Sequence, residues 1–411
     1  MYHILISIYQ LCVRIYSLFD KKAGLMWKGG RAAFDVLGEQ VDAHSKYIWV
    51  HAASLGEFEQ GRPLIEYLKK EHPEYKILLT FFSPSGYEVR KNYEGADIIC
   101  YLPLDTRSNA RRFLSLVHPC MAFFIKYEFW YNYLHILKQR QIPVYSVSSI
   151  FRPTQVFFQW YGRRYSRVLH CFTHFFVQNE ESRALLAEIG ISNVTISGDT
   201  RFDRVQEIAS KVGALPILSA FAKDARVFVA GSSWQPDERV FIPYFNGEKR
   251  WKVILAPHVV DEGHLQEIEQ QLARPVVRYS KSTPALAEEA DYLIIDGYGL
   301  LSSVYRYGTV AYIGGGFGTG VHNVLEAAVW QIPVIFGPNN GRFMEIQQLK
   351  HCGGGFEIKD EQDFGELMQK IISQPGFLQL AGEKAGGYVR KNAGAIDVIV
   401  KKVFGDIKAG C

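Results

Sequence analysis

Two glutamates in this chain stand where a short apolar run gives way to an amphipathic one, the place where an open α/β sheet presents side chains to a ligand. In WVHAASLGEFEQGRPL, Ser54 is placed to cap a helix and Glu57 falls three residues later, as in a capping box. The same carboxylate, partly desolvated at the mouth of a cleft, would have its pKa raised and work as a general base. Cap and base occupy one turn, beside Gly56, so the spacing leaves both readings open. In AFFIKYEFWYNYL, Glu128 directly follows an apolar run; it either caps or pairs with Lys126, or stands as a second cleft carboxylate. Trp130, Tyr131 and Tyr133 read as helix packing.

Three further turns suit an anion. Arg201 in SGDTRFDR follows a glycine-bearing turn and is either an anion contact or a solvated charge. In AGSSW, Ser232 and Ser233 stand before a helix opened by PDE, offering hydroxyls and backbone N–H groups to a phosphate, or simply a helix cap. The third is AYIGGGFGTGVHNVLEAAVWQIPVIFGP, with five glycines in positions 314–320, among them Gly314, Gly315 and Gly316. His322 and Asn323 follow at an expected helix start, with Glu326 one turn inside. Glycines admit close backbone approach, the helix start favours a phosphate, and Glu326 can accept from ribose hydroxyls. This is not the dinucleotide fingerprint, whose G-x-G-x-x-G opens a domain, whereas this loop lies late.

These turns need a scaffold of strands and crossover helices. Short β-branched and aromatic runs at residues 47–53, 76–82, 97–103, 120–126, 143–150, 171–179 and 194–197 alternate with amphipathic stretches such as TRSNARRFLSLVH. RVFVAGS, WKVILAP, PVVRYS, DYLIID, TVAYIGG and PVIFGP repeat the rhythm in the second half. Two Rossmann-like domains are expected, 21–205 and 206–411, their sheets' carboxyl ends facing each other across a cleft. The boundary falls in RFDRVQEIASKVGALPILSAF, and the last helix is a candidate to pack back on the first domain. Residues 1–20, MYHILISIYQLCVRIYSLFD, read as an apolar membrane anchor helix interrupted by Arg14, either spanning the bilayer or lying in its interface. A core helix is the ordinary alternative. The basic residues that follow keep the rest of the chain cytoplasmic.

A chain of 411 residues, 48% hydrophobic and 21% charged, exceeds one ordinary core and is too apolar for disorder. A net charge of +4, from 46 basic against 42 acidic residues, gives no case for a nucleic-acid partner. The six cysteines are scattered, with no C-x-x-C pair, so neither disulfides nor a structural zinc is expected.

The ordered set HAASLGE, YEFWYN, SGDTRFD, AGSSWQPDE, VAYIGGGFGTGVHNVLEAA and PVIFGPNNGRFMEI resembles the 3-deoxy-D-manno-octulosonic acid (Kdo) transferases of lipopolysaccharide assembly, across nearly the whole chain. The resemblance implies an α/β GT-B fold with an N-terminal acceptor domain and a C-terminal donor domain. It also implies attachment to the cytoplasmic face of the inner membrane, and inverting transfer from CMP-Kdo to a lipid A precursor, lipid IVA, with no metal and no cofactor. The family's H-x-x-S-x-G-E element falls on His51, Ser54, Gly56 and Glu57, making Glu57 the expected catalytic base. Of its E-T-E-x-W element, Glu128 and Trp130 agree, while Lys126 and Tyr127 replace Glu and Thr. Arg201 stands for a Lys, and Pro257 is kept in APHVV where His258 replaces an Arg. Gly314, Gly315, His322, Asn323 and Glu326 agree in the glycine loop, whose insert is shorter here. Ser232, Pro257, His258, Gly316 and these five are the expected donor contacts. Arg152, Arg163, Arg164 and Arg167, among aromatic residues, are the candidate acceptor surface, or else the solvated face of an amphipathic helix. The rival readings are a UDP-sugar hexosyltransferase or epimerase on the same fold, and a membrane-tethered nucleotide binder without turnover.

Overall fold

The structure is a computed structural model that describes residues 2–162 and 164–409. It divides into two compact units, Met1–Arg204 with Gly394–Cys411, and Val205–Ala393.

The first unit is built on seven parallel strands, β1 (Lys46–His51), β2 (Tyr75–Phe81), β3 (Ile98–Tyr101), β4 (Met121–Ile125), β5 (Val144–Ser149), β6 (His174–Val177) and β7 (Val194–Ile196), ordered β3-β2-β1-β4-β5-β6-β7. Helices cover both faces, so the central strands are apolar without interruption, as in MAFFI of β4. Neighbouring residues serve opposite sides: Trp49 and Phe124 join a core with Phe113 and Tyr133, while Val50 and Phe123 join one with Phe58 and Leu64. The last helix, Ala395–Ala409, belongs to this unit and puts Ile399, Val400 and Val403 into the second of those cores. Its start is held by Asp203, whose carboxylate accepts from the N–H groups of Gly394 and Ala395 at 2.9 and 3.2 Å.

The second unit holds β8 (Arg226–Ser233), β9 (Trp251–Pro257), β10 (Val276–Arg278), β11 (Tyr292–Ile294), β12 (Val310–Ile313), β13 (Val334–Phe336) and β14 (Gly355–Glu357), all parallel and ordered β10-β11-β9-β8-β12-β13-β14. The edge strand β14 has no apolar run to announce it. In both units the strand-to-helix turns fall at the carboxyl ends of the central strands, where such sheets bind ligands.

The N-terminal helix spans Tyr2–Tyr16. Fifteen residues at about 1.5 Å each reach roughly 22 Å, short of a hydrocarbon core of about 30 Å. Among the described residues no helix is long and apolar enough to cross a membrane, so the spanning alternative has no support. The helix is not a core helix either. Val13 is buried and Tyr2 donates to the buried Asp105 at 2.5 Å, but Ile4, Leu5, Ile8, Leu11 and Ile15 all face outward.

Candidate functional site

His51 ends β1 with its ring wholly buried. Nδ1 meets the Thr80 hydroxyl at 2.8 Å, which leaves Nε2 directed at Glu128 Oε2, 3.2 Å away. Trp130 donates its Nε1–H to the same oxygen at 2.5 Å. Glu128 therefore takes His51 and Trp130, while the Lys126 ammonium lies 5.5 Å over the Tyr127 ring.

Glu57 stands in the first turn of the helix Leu55–Glu71 and accepts from the Ser54 N–H at 2.9 Å and the Ser54 hydroxyl at 3.1 Å. Cap and titrating acid thus coexist in one side chain. Burial pushes the Glu57 pKa up, the charge of Glu128 adds to the rise, and His51 and Ser54 only partly oppose it. Two carboxylates in one field, one with fixed donors and one pushed toward neutrality, are the arrangement that separates an acid from a base.

The turns around this pair are held in costly backbone. Lys126 and Ser148 lie at φ 67° and 53°, a conformation that costs a non-glycine residue about 1–3 kcal/mol. Each is over-determined by its neighbours. The Lys126 N–H reaches Val147 O at 2.8 Å, and the Ser148 hydroxyl meets that of Thr200 at 2.9 Å. Thr200 leads into Arg201, which forms a forked pair with Asp199 at 2.9 and 2.8 Å. Burial alone would raise the Asp199 pKa, but Arg201 brings it below the ordinary value. Gln60 donates to the same carboxylate at 3.1 Å. Tyr127, its pKa raised by burial, also feels Arg152, Glu57 and Arg201, so Arg201 belongs to the Glu57 neighbourhood.

In the second unit the glycine loop is fixed by tight packing. A Cβ on Gly314 would sit 2.1 Å from Ser232 O, and one on Gly316 would sit 2.5 Å from Gly337 N. Gly315 has φ 90° and would strike Gly320 O. Ser232 is itself at φ 52°. The AGSS turn, the glycine loop and the turn after β13 therefore form one close-packed backbone surface. His258, just past Pro257, stacks between Trp234 at 4.6 Å and His322 at 4.3 Å, and Trp234 donates to His322 Nε2 at 3.2 Å. Burial, with His258 adding to it, lowers the His322 pKa to about 4, so this ring is a neutral acceptor at ordinary pH. Glu326 accepts from Ser302 at 2.6 Å and from Asn323 at 2.9 Å.

One expectation here is corrected. The helix after the loop is four residues, Leu325–Ala328, and His322 and Asn323 lie in irregular chain before it. So short a helix sums little dipole and offers little to the expected phosphate.

Two residues of this unit escaped the sequence reading. Asp237, fully buried, accepts from Gly315 N–H at 2.9 Å, Trp234 N–H at 3.0 Å and the Tyr312 hydroxyl at 2.7 Å, clamping loop to helix. Glu238 accepts from the Ser233 hydroxyl at 2.8 Å and meets His264 at 2.9 Å. The only signal was PDE itself, whose acids read as ordinary first-turn residues.

Of the candidate acceptor arginines, Arg163 lies outside the described residues, and Arg152, Arg164 and Arg167 are exposed. Arg167 lies in the 3-10 segment Ser166–Cys171, Arg164 in the turn before it, and Arg152 in irregular chain ahead of the 3-10 turns Val156–Phe158 and Trp160–Gly162, so no amphipathic helix carries them; Trp160 is 83% exposed.

A family model described as 3-Deoxy-D-manno-octulosonic-acid transferase (kdotransferase) matches residues 28–204. The 3-deoxy-D-manno-octulosonic acid transferase of Aquifex aeolicus is 28% identical over 334 residues, 79% of this chain and 86% of that protein. Its counterpart from Rickettsia felis is 25% identical over 362 residues, 85% of this chain and 77% of that protein. Among solved structures, UDP-GlcNAc 2-epimerase from Neisseria meningitidis bound to UDP-GlcNAc matches with a TM-score of 0.61 at 14% identity, covering 88% of this chain and 100% of that one. At that identity it speaks for the fold alone, the α/β GT-B fold of two Rossmann-like units. With motifs, fold and relatives in agreement over most of its length, the chain is similar to the Kdo transferases, a family of glycosyltransferases.

Proposed function

We propose that the chain transfers Kdo from CMP-Kdo to a lipid A precursor of the lipid IVA kind, with inversion and without metal or cofactor. The observation that carries this reading is Glu57, a buried carboxylate whose pKa is raised beside a second, donor-held carboxylate, in the turn that the family motif occupies. An acceptor hydroxyl oxygen attacks the anomeric carbon of Kdo as the bond from that carbon to the CMP phosphate oxygen breaks. Glu57 takes the hydroxyl proton, and the bonding electron pair leaves with CMP. The second unit holds the nucleotide. The N–H groups of Gly314, Gly315, Gly318 and Gly320 being taken within the unit, the phosphate is met by the rest of the loop at 314–320 and by the neutral His322, Pro257, His258 and Ser232 flank it, and Glu326 accepts from ribose hydroxyls. Arg201 and Tyr127 complete the acid's surroundings in the first unit. A single displacement of this kind inverts configuration.

The exposed apolar face of the N-terminal helix supports a location on the cytoplasmic face of the inner membrane, with the helix lying in the interface rather than spanning. The test is purified protein with CMP-Kdo and a tetraacylated lipid A precursor, followed by mass. Product heavier by Kdo units, with CMP released, is expected. Epimerisation or transfer from a UDP-sugar, with CMP-Kdo untouched, overturns the reading, and nucleotide binding without turnover of any donor does so too.

A further inference from the structure

The N-terminal helix and the helix Lys21–Gln40 close one side of a cavity of about 610 Å3 in the first unit, completed by Phe82, Leu102 and the helix Arg107–Val117. Its size is that of a small-molecule site. Its lining is divided in character. Val13, Met26, Trp27, Phe34 and Leu102 are apolar, whereas Arg14, Arg31 and Arg112 are exposed cations against a single carboxylate, Asp35. Among the described residues none of the three guanidinium groups is in a salt bridge. The Arg112 guanidinium carbon lies 4.3 Å over the Phe34 ring and that of Arg31 6.0 Å over the Trp27 ring, contacts that restrain both side chains at the rim of the cavity.

An apolar hollow edged by preorganised forks recognises an anionic head on a hydrocarbon stem, and a phosphate monoester best, since it offers the most acceptor oxygens. Two neighbours say how such a ligand would lie. Leu18 and Phe19, in the turn between the two helices, are 79% and 81% exposed and continue the outward apolar face of the first helix, so hydrocarbon would reach the cavity from a lipid surface. On the inner side, Phe82 packs edge-on against Trp130 at 4.9 Å, and Trp130 is the donor to Glu128. One end of the hollow is therefore two side chains from the carboxylate pair.

We propose that this cavity binds a phosphate monoester borne on an acyl-chain lipid, the phosphate on Arg14, Arg31 and Arg112 and the hydrocarbon against Trp27, Met26 and Phe34, and that its occupant is the phosphorylated, acylated glycolipid acceptor. The second half rests on the transferase reading; the first stands without it.

The experiment uses the full chain with phosphatidylcholine vesicles carrying phosphatidic acid, a monoester, or phosphatidylglycerol, a diester, at matched surface charge. Co-flotation should favour the monoester at least about tenfold, and the double variant Arg31→Ala, Arg112→Ala should abolish the preference. Gly30→Leu separates cavity from charge. A Cβ there meets nothing closer than 3.7 Å, so the helix accepts the residue while the hollow is filled. It too should lose the preference, with folding intact by circular dichroism. Equal binding to both vesicles, or wild-type binding by Gly30→Leu, overturns the site. So does full competition by inorganic phosphate at equal concentration, which would mark a free-anion site. In the transfer assay, Gly30→Leu should raise the acceptor KM at least about tenfold and spare kcat. An unchanged KM overturns the acceptor assignment alone. Absence of transfer by the wild type, with monoester preference intact, sinks the transferase reading and leaves the lipid site standing.

Discussion

His51 Nε2 lies 3.2 Å from Glu128 Oε2, joining residues 77 positions apart in the chain. That contact makes one site of two motifs. His51 is pinned on its other nitrogen by Thr80, so it can only present Nε2 to the carboxylate, and Trp130 approaches the same oxygen. Glu128 is thereby committed to its donors, and its charge adds to the rise of the Glu57 pKa.

Glu57→Gln removes the proposed proton acceptor and should lower transfer at least about a hundredfold, with CMP affinity of the second unit unchanged in calorimetry. Its effect on stability has the opposite sign. A carboxyl whose folded pKa is raised contributes stability at low pH that is lost as pH rises through the folded value, so removing its charge should raise the melting temperature at neutral pH and leave it level in acid. Near-normal turnover would take Glu57 out of the role.

Glu128→Gln tests the coupling between the two acids. Because the Glu128 charge helps raise the Glu57 pKa, its removal should move the acidic limb of the kcat/KM profile to lower pH while reducing the plateau. An acidic limb that stays in place would show that the two carboxylates do not share a field.

Gly56→Ala distinguishes folding from substrate approach. A Cβ at this position meets nothing within 4 Å and the residue lies inside a helix, so alanine should stabilise by up to about 1 kcal/mol. Transfer should nonetheless fall at least about tenfold if the acceptor passes over that bare backbone. Unfolding curves and turnover, measured on the same preparation, read both.

Asp237→Ala should strip acceptors from Gly315, Trp234 and Tyr312 together. Buried donors left unpaired cost about 1–3 kcal/mol each, so the second unit should lose at least about 3 kcal/mol in urea titration, and CMP affinity with it. Asp237→Asn keeps one acceptor oxygen and should lose less.

The sheets were legible because parallel strands buried on both faces must be written as unbroken β-branched and aromatic runs, and each run singled out at the start is a strand. Gly355–Glu357 was missed because an edge strand of three residues beginning at glycine carries no such run. A helix was expected to start at His322 and Asn323, yet the chain must turn at Gln331, at φ 59°, to enter β13, and only Leu325–Ala328 are helical. Glu57 and the glycine loop could be located because turn chemistry is local. Asp237 and Glu238 could not, since an acid in the first turn of a helix looks solvated until the fold buries it, nor could the pairing of Arg201 with Asp199, buried just ahead of its helix. The outward face of the first helix was visible as hydropathy, but its length was not, because the break at residues 17–20 is set by Asp20 capping the next helix through Ala23.

His322 offers a pH test independent of turnover. Its folded pKa of about 4 lies below the ordinary value near 6.5, because burial and then His258 disfavour the cation. A histidine depressed in this way contributes stability that is complete above the unfolded pKa and is lost as pH falls from about 6.5 towards 4, since in that window the unfolded chain binds the extra proton. The second unit should therefore lower its melting temperature across that window, and His322→Gln, which retains an acceptor for Trp234, should flatten the decline. Nitrogen chemical shifts of the wild-type ring should still report neutral imidazole at pH 6, so that CMP affinity between pH 6 and 8 owes none of its variation to this residue. A ring found protonated at pH 6 would mean that the stack of Trp234, His258 and His322 is open to solvent, and that the phosphate meets a cation there rather than a neutral imidazole.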